Sequence, residues 1–150
     1  MEISNYRHKI EEEVKFHEVD MMGICNNAVF LNYFEDGRVK YIQNLKQAYK
    51  LQTIMEGASF FITARNEIDY IEPALFDEKL NIYTRIDFIK NSSFGFKHIV
   101  ENAATKIILA TGVGIFVHIN IKTKKSVPLP QEFYDAVADF EKKVNIVRYE

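Results

Sequence analysis

The chain has little of what marks several large classes of protein. It contains no tryptophan, one cysteine, three prolines and six glycines in 150 residues. The lone cysteine, Cys25, allows no internal disulfide framework and fits a reducing, cytoplasmic setting. No run approaches the ~20 apolar residues of a membrane span, and MEISNYRHKI lacks the apolar centre of a secretory leader. Neither sign of charge dominates. Nineteen Lys and Arg against 21 Asp and Glu give a net charge of -2, spread along the chain, which offers nucleic acid no basic patch. Repeats, linkers and low-complexity tracts are also missing.

What is present suits a single globular domain, 1–150. The apolar share is 47%, enough for one sizeable core. The chain is organised around Phe16–Arg38, FHEVDMMGICNNAVFLNYFEDGR. A turn at Gly23 leads into an amphipathic stretch with Phe30, Phe34, Gly37, Tyr41 and Leu45 at helical intervals. This spacing predicts a long helix from about Asn27 to about Lys46. Asn26 and Asn27 stand where an N-cap belongs. Asp20 lies just ahead of that start. A carboxylate beside unpaired helical amides is the arrangement acyl-transfer chemistry requires.

Before the helix, Tyr6–Phe16 reads as an edge strand. After it, an irregular connection runs from Gln47 to Ala58, and four strands follow. In the first, Phe60, Ile62, Ala64, Ile68 and Tyr70 are expected on one face, with Arg65, Glu67 and Asp69 on the other; Pro73 ends it. In the second, Leu80, Ile82, Thr84, Ile86 and Phe88 alternate with polar residues. Asn91-Ser92-Ser93 is a hairpin turn into Phe94–Val100. The strand Lys106–Ile121 is apolar on nearly both faces and therefore expected at the centre of the sheet. Pro128 and Pro130 close the sheet, and Phe133, Val137 and Phe140 mark a terminal helix.

Strand, long helix, then antiparallel strands is an α+β pattern, one sheet curling around one buried helix. Gly112 and Gly114 offer the helix backbone a close approach. The edges, at the N-terminal strand and at the strand from Phe60, predict at least a homodimer, with a homotetramer as the further step.

Asp20-x-x-Gly23-Ile24, Phe30 and Phe34-Glu35-Asp36-Gly37-Arg38 resemble the hot-dog-fold thioesterases of the 4-hydroxybenzoyl-CoA thioesterase type. So do Ile68-Asp69-Tyr70-Ile71-Glu72-Pro73 and Leu129-Pro130. The resemblance implies an antiparallel sheet around a central helix, active sites at a dimer interface, and acyl-CoA or acyl-carrier-protein thioesters as substrates. No cofactor is expected, coenzyme A being part of the substrate. The chain departs from related branches. Met22 and Ile24 replace an Asn and a His, and Asn26-Asn27 replaces Tyr-His, so Asp20 is the one ionisable candidate in its loop.

The expected reaction is thioester hydrolysis. The Asn27 amide polarises the carbonyl, and Asp20 acts as general base or as nucleophile. Gly23, Phe30, Phe60 and Phe61 are the candidate substrate-binding residues, the last two from the neighbouring subunit. Arg65, Arg85, Lys90 and Lys97 are candidates for the coenzyme phosphates. The plain alternatives are a dipole-facing Asp20, a structural Glu35–Arg38 ion pair, and ordinary core aromatics. Cys25 with His17 as base is a further candidate nucleophile, but nothing in the sequence fixes the pair, and a small apolar filler is the plainer reading of Cys25. His98 and His118 lack metal-ligand spacing, so no metal is expected. A non-catalytic acyl-CoA-binding module is the competing function, and a hydratase lacks the His it calls for beside the carboxylate.

Overall fold

The computed structural model describes residues 3–148, so the first two and last two residues of the expected 1–150 domain lie outside the described residues. In chain order the elements are β1 (His8–Glu13), α1 (Val29–Tyr49), β2 (Ser59–Tyr70), β3 (Lys79–Ile89), β4 (Ser93–Asn102), β5 (Ile108–Asn120), α2 (Gln131–Glu141) and β6 (Asn145–Ile146). The sheet order is β1-β3-β4-β5-β2, antiparallel throughout, with the two residues of β6 added parallel to β3. The α+β arrangement of one long helix against an antiparallel sheet is thus the expected one. The centre is not. Two-sided apolar character suggested β5, yet β4 holds the middle and β5 lies next to the edge strand β2. One face of β5 is covered by α1, while its outer residues are only half-buried.

The helix α1 buries a continuous stripe, Phe30, Tyr33, Phe34, Gly37, Arg38, Tyr41, Ile42 and Leu45, at the spacing the sequence shows. Gly37 sets its distance from the sheet, because a Cβ there would stand 2.6 Å from Thr84 Oγ1 on β3. At Gly112 and Gly114 it is side chains, not helix backbone, that fill the space. The Phe34 ring lies over Gly112 and Arg38 Nη1 beside Gly114. Phe34 also stacks on His98, ring centroids 4.5 Å apart. Farther along α1 an aromatic cluster of Tyr41, Phe94, Phe96 and Phe133 closes the core beneath α2.

Two bulges overturn the expected strand faces. The β2–β5 register shifts between Thr63 and Arg65, leaving Ala64 unpaired. An extra residue reverses which side each later side chain takes. Phe61, Thr63, Ile68 and Tyr70 therefore share the helix-facing side, while Phe60 and Ile62 join Arg65, Glu67 and Asp69 outside. Likewise the β3–β4 register shifts between Ile86 and Phe88. Phe88 leaves the face of Leu80, Ile82, Thr84 and Ile86 and lies over Gly95. Strand β1 is shorter than the Tyr6–Phe16 expectation but does occupy an edge, as does β2.

Candidate functional site

The segment from Phe16 to α1 is folded as a tight loop pinned to the chain around Pro73. Asp20 closes its turn twice, its backbone N–H donating to the Ile24 carbonyl at 2.9 Å and its carbonyl accepting from Gly23 N–H at 3.0 Å. Gly23 has φ +76 with open space where a Cβ would go, so backbone conformation rather than packing calls for glycine. The Asp20 carboxylate accepts from the amides of Met22 at 2.8 Å and Ile24 at 3.2 Å, both through Oδ1. That leaves Oδ2 without a protein partner among the described residues, on an exposed side chain. Cys25 N–H to the Ala74 carbonyl at 2.8 Å and Phe76 N–H to the Gly23 carbonyl at 3.0 Å fasten the loop to the segment after β2.

The helix starts later than expected. Its N-cap is Ala28, in helical conformation and with no side-chain cap bond, so Asn26 and Asn27 do not cap with their side chains. Their carbonyls serve instead, accepting from Val29 at 3.0 Å and Phe30 at 3.3 Å in a tightened first turn. The helix also runs on to Tyr49, past the expected Lys46, and ends at Lys50 in left-handed conformation. Among the described residues, the Asn27 and Ala28 amides donate to no protein acceptor.

Beside them lies a cavity of about 210 Å³ lined by Ile24, Cys25, Asn27, Phe30, Tyr70 and Glu72, among others. Tyr70 donates its hydroxyl to the Asn27 carbonyl at 2.9 Å and packs its ring edge-on to Phe30 at 5.5 Å. Burial pushes the Tyr70 hydroxyl above its ordinary range, so it remains a donor. Neither Tyr70 nor Glu72 was singled out from sequence. The available signal is the stretch Ile68–Pro73, in which β2 ends at Tyr70 and Glu72 follows onto the cavity wall.

Of the expected site residues, Asn27 and Phe30 come together here. Asp20 and Gly23 form the adjoining turn and do not line this cavity within one chain. Phe60 and Phe61 are elsewhere, on opposite faces of β2 and bordering a second cavity farther along α1. Phe61 packs on Phe94, ring centroids 4.9 Å apart, and Phe60 is exposed.

Several alternatives find other roles. Cys25 is buried, with its thiol pushed up by burial, and its sulfur contacts the Tyr33 hydroxyl at 3.8 Å rather than His17. Tyr33 in turn donates to Glu18 at 2.8 Å. His98 is held neutral by burial and bonded to Thr84 Oγ1 at 3.0 Å, while His118 bridges Ser59 and the Pro128 carbonyl. Among the described residues, no group of three or more His, Cys, Asp or Glu could hold a metal ion. The Glu35–Arg38 ion pair is not formed among them either; Arg38 is buried. Of the candidates for coenzyme phosphates, Arg85 is buried and bonded to the Lys143 carbonyl, Arg65 pairs with Glu67, and Lys97 lies 3.5 Å from Asp87. Lys90 stands 5.5 Å from the Phe88 ring centroid.

Residues 14–137 match the model of a family described as the thioesterase-like superfamily. An uncharacterized protein of Bacillus subtilis, YsmA, is 27% identical over 79% of this chain and 77% of its own. The acyl-CoA thioesterase YbgC of Haemophilus influenzae is 27% identical over 56% of this chain and 61% of its own. Among solved structures, a Thermus thermophilus thioesterase complexed with coenzyme A and Zn superposes with TM-score 0.75 at 27% identity, over 93% of this chain and 98% of its own. A thioesterase-superfamily protein of Jannaschia has TM-score 0.81 at 15% identity, over 93% and 86% of the two chains, a likeness of fold alone.

Proposed function

This chain belongs to the thioesterase-like superfamily, and on that premise we propose that it hydrolyses an acyl-CoA or acyl-carrier-protein thioester at the cavity beneath Asn27. The observation that carries this reading is the pair of unpartnered amides, Asn27 and Ala28, at the mouth of α1. They are donors in the partial positive field of a helix start, where a carbonyl oxygen gaining negative charge is stabilised. Tyr70 donates to the Asn27 carbonyl, which shares its peptide plane with the Ala28 N–H, so the direction of that N–H is fixed before substrate arrives.

In this reading the thioester carbonyl oxygen sits on those amides and Asp20 supplies the attack. Its free Oδ2 either takes a proton from water, which adds to the carbonyl carbon, or adds itself to give a mixed anhydride that water then opens. In both routes the C–S bond breaks and the thiolate leaves, taking up a proton. The Met22 and Ile24 amides on Oδ1 orient the carboxylate and leave Oδ2 for the reaction.

Since Asp20 does not line the single-chain cavity, a second subunit is part of the proposal. Strand β2 is an edge with exposed Phe60 and Ile62. Antiparallel pairing of two β2 strands about a two-fold near their middle would bring the Phe60–Phe61 end of one to the Tyr70 end of the other. That arrangement completes the walls of the cavity and gives the expected aromatic residues a role in the acyl site.

The competing reading, a non-catalytic acyl-CoA-binding module, is favoured by the same observation, that Asp20 does not line the cavity. Thiol release from a panel of acyl-CoA and acyl-carrier-protein thioesters decides between them. Turnover above the uncatalysed rate is expected; tight binding without thiol release would leave the binding module standing.

A further inference from the structure

The second cavity, between α1 and β2, has a volume of about 470 Å³, within the range of small-molecule sites. Val39, Ile42, Met55, Phe61 and Phe116 contribute apolar wall, and Arg38 contributes the charge. Lys46, also on the wall, is already paired with Glu56 at 3.0 Å. Arg38 is only 7% exposed. None of its guanidinium nitrogens has a hydrogen-bond partner among the described residues, and Nε and Nη1 are sealed from solvent. Its guanidinium carbon stands 4.8 Å from the Phe116 ring centroid. Glu35, one turn earlier and on the same cavity wall, forms no ion pair with it.

A buried cation with no hydrogen-bond or ion-pair partner is costly, even with the Glu35 carboxylate on the same wall, and an apolar side chain of similar size would fill the place at less expense. The chain builds the site around that cation nevertheless. Gly114 supplies the room, since a Cβ there would stand 3.3 Å from Nη1. A largely apolar cavity with a planar cation that no side chain bonds suits a ligand with an apolar body and an anionic head able to reach Arg38 in place of Glu35. A carboxylate is the group whose geometry matches the guanidinium.

We infer that this cavity binds an apolar chain ending in a carboxylate, with the carboxylate on Arg38. That chain has two possible sources. One is the distal end of a thioester substrate's acyl group, which rests on the thioesterase reading; the other is a free carboxylic acid held as product or effector, which does not.

The test uses the purified full chain, with Arg38→Met and Arg38→Lys beside it. In one arm, calorimetry compares octanoate with octanol, chains matched except for the carboxylate. In the other, thiol release compares octanoyl-CoA with the CoA monothioester of octanedioic acid. Wild type is expected to prefer the carboxylate-bearing ligand by at least about tenfold, Arg38→Lys to keep part of that preference, and Arg38→Met to lose it. A preference in both arms assigns the acyl tail of a substrate; one in the binding arm alone assigns a free acid. Binding on Arg38 without hydrolysis of any thioester would remove the thioesterase reading and leave this inference intact. No preference in wild type, or one that Arg38→Met leaves unchanged, overturns it. So does Arg38→Met splitting the oligomer while both arms stay level, since the guanidinium would then serve a second copy of the chain. Should Arg38→Met not fold, the wild-type comparison and Arg38→Lys still decide.

Discussion

Tyr70, at the end of the edge strand, donates its hydroxyl to the carbonyl oxygen of Asn27 at 2.9 Å, tying the sheet to the peptide that precedes the long helix. Pulling on that carbonyl fixes the plane of the Asn27–Ala28 peptide and, with it, the Ala28 N–H, one of the two amides proposed as the oxyanion site. Tyr70→Phe keeps the ring against Phe30 and removes only the bond. Stability is expected to fall by about 1 kcal/mol, the net worth of a typical hydrogen bond. If the bond positions the amides, kcat falls by roughly tenfold with KM little changed, because an oriented donor acts on the transition state. Equal loss of stability with kcat intact would reduce Tyr70 to a structural tie.

Asp20 stands in the turn beside the site and Glu72 on the cavity wall. Asp20→Asn retains an Oδ1 to accept from Met22 and Ile24, so the turn should hold. Thioester turnover is expected to drop at least about a hundredfold, the scale of general acid–base catalysis. Glu72→Gln should leave turnover within a few-fold. The reverse pattern, measured by steady-state thiol release on folded variants, would move the chemistry to Glu72.

Gly37 meets β3 where no side chain fits. Gly37→Ala gains helix propensity of about 1 kcal/mol. It also drives a methyl group to 2.6 Å from Thr84 Oγ1, a hydroxyl already engaged with His98 at 3.0 Å. Overpacking of this kind costs about 1–3 kcal/mol, so net destabilisation is expected. Chemical denaturation that shows an unchanged or raised midpoint would mean the helix shifts freely, which the packing of its Phe34 on His98 and of its Tyr41 on Phe96 opposes.

Much of this arrangement is legible in the sequence because it depends on periodic pattern. The stripe from Phe30 to Leu45 and the alternation in β3 identify helix and sheet, and Gly23 marks the turn that carries Asp20. The bulges at Ala64 and Asp87 are not legible, since one inserted residue leaves alternation locally intact while reversing its meaning. For this reason the expected face joins Phe60 and Ile62 to Ile68 and Tyr70, which lie on the other side of the sheet. Asn26-Asn27 misled for another reason. Side-chain capping is a local preference, and here Tyr70, 43 residues along, holds the Asn27 peptide instead. Arg38 looked like half of a surface pair, because i,i+3 spacing says nothing about the wall of the sheet that buries it.

The exposed edge of β2 sets an expectation for assembly. Unpaired strand groups flanked by Phe60 and Ile62 recruit another strand unless something blocks them; among the described residues no proline or covering element does so, and Arg65 and Glu67 on this strand pair with each other. Sedimentation at micromolar concentration is expected to return a dimer or a multiple of it. A monomer with full thioester turnover would contradict a site shared between subunits.

The last expectation concerns pH. Glu12 on β1 has its carboxyl raised to about 7, by burial first and then by a shared hydrogen bond with Asp36 of α1 and that residue's charge. Its ordinary value is 4.5, so between these values the folded chain holds a proton that the unfolded chain has released. Where the folded state binds more protons, stability falls as pH rises. Acidifying through about 7 should therefore stabilise the protein, the gain being complete below 4.5 as far as this group decides. Above about 7 both carboxylates are charged and repel across the β1–α1 contact. Glu12→Gln keeps a donor for Asp36 at every pH. It is expected to raise the melting temperature at about pH 8 and to flatten the change in melting temperature between about pH 5.5 and 8. Should the wild-type protein melt higher at pH 8 than at pH 5.5, with Glu12→Gln following the same curve, the pair does not share a proton.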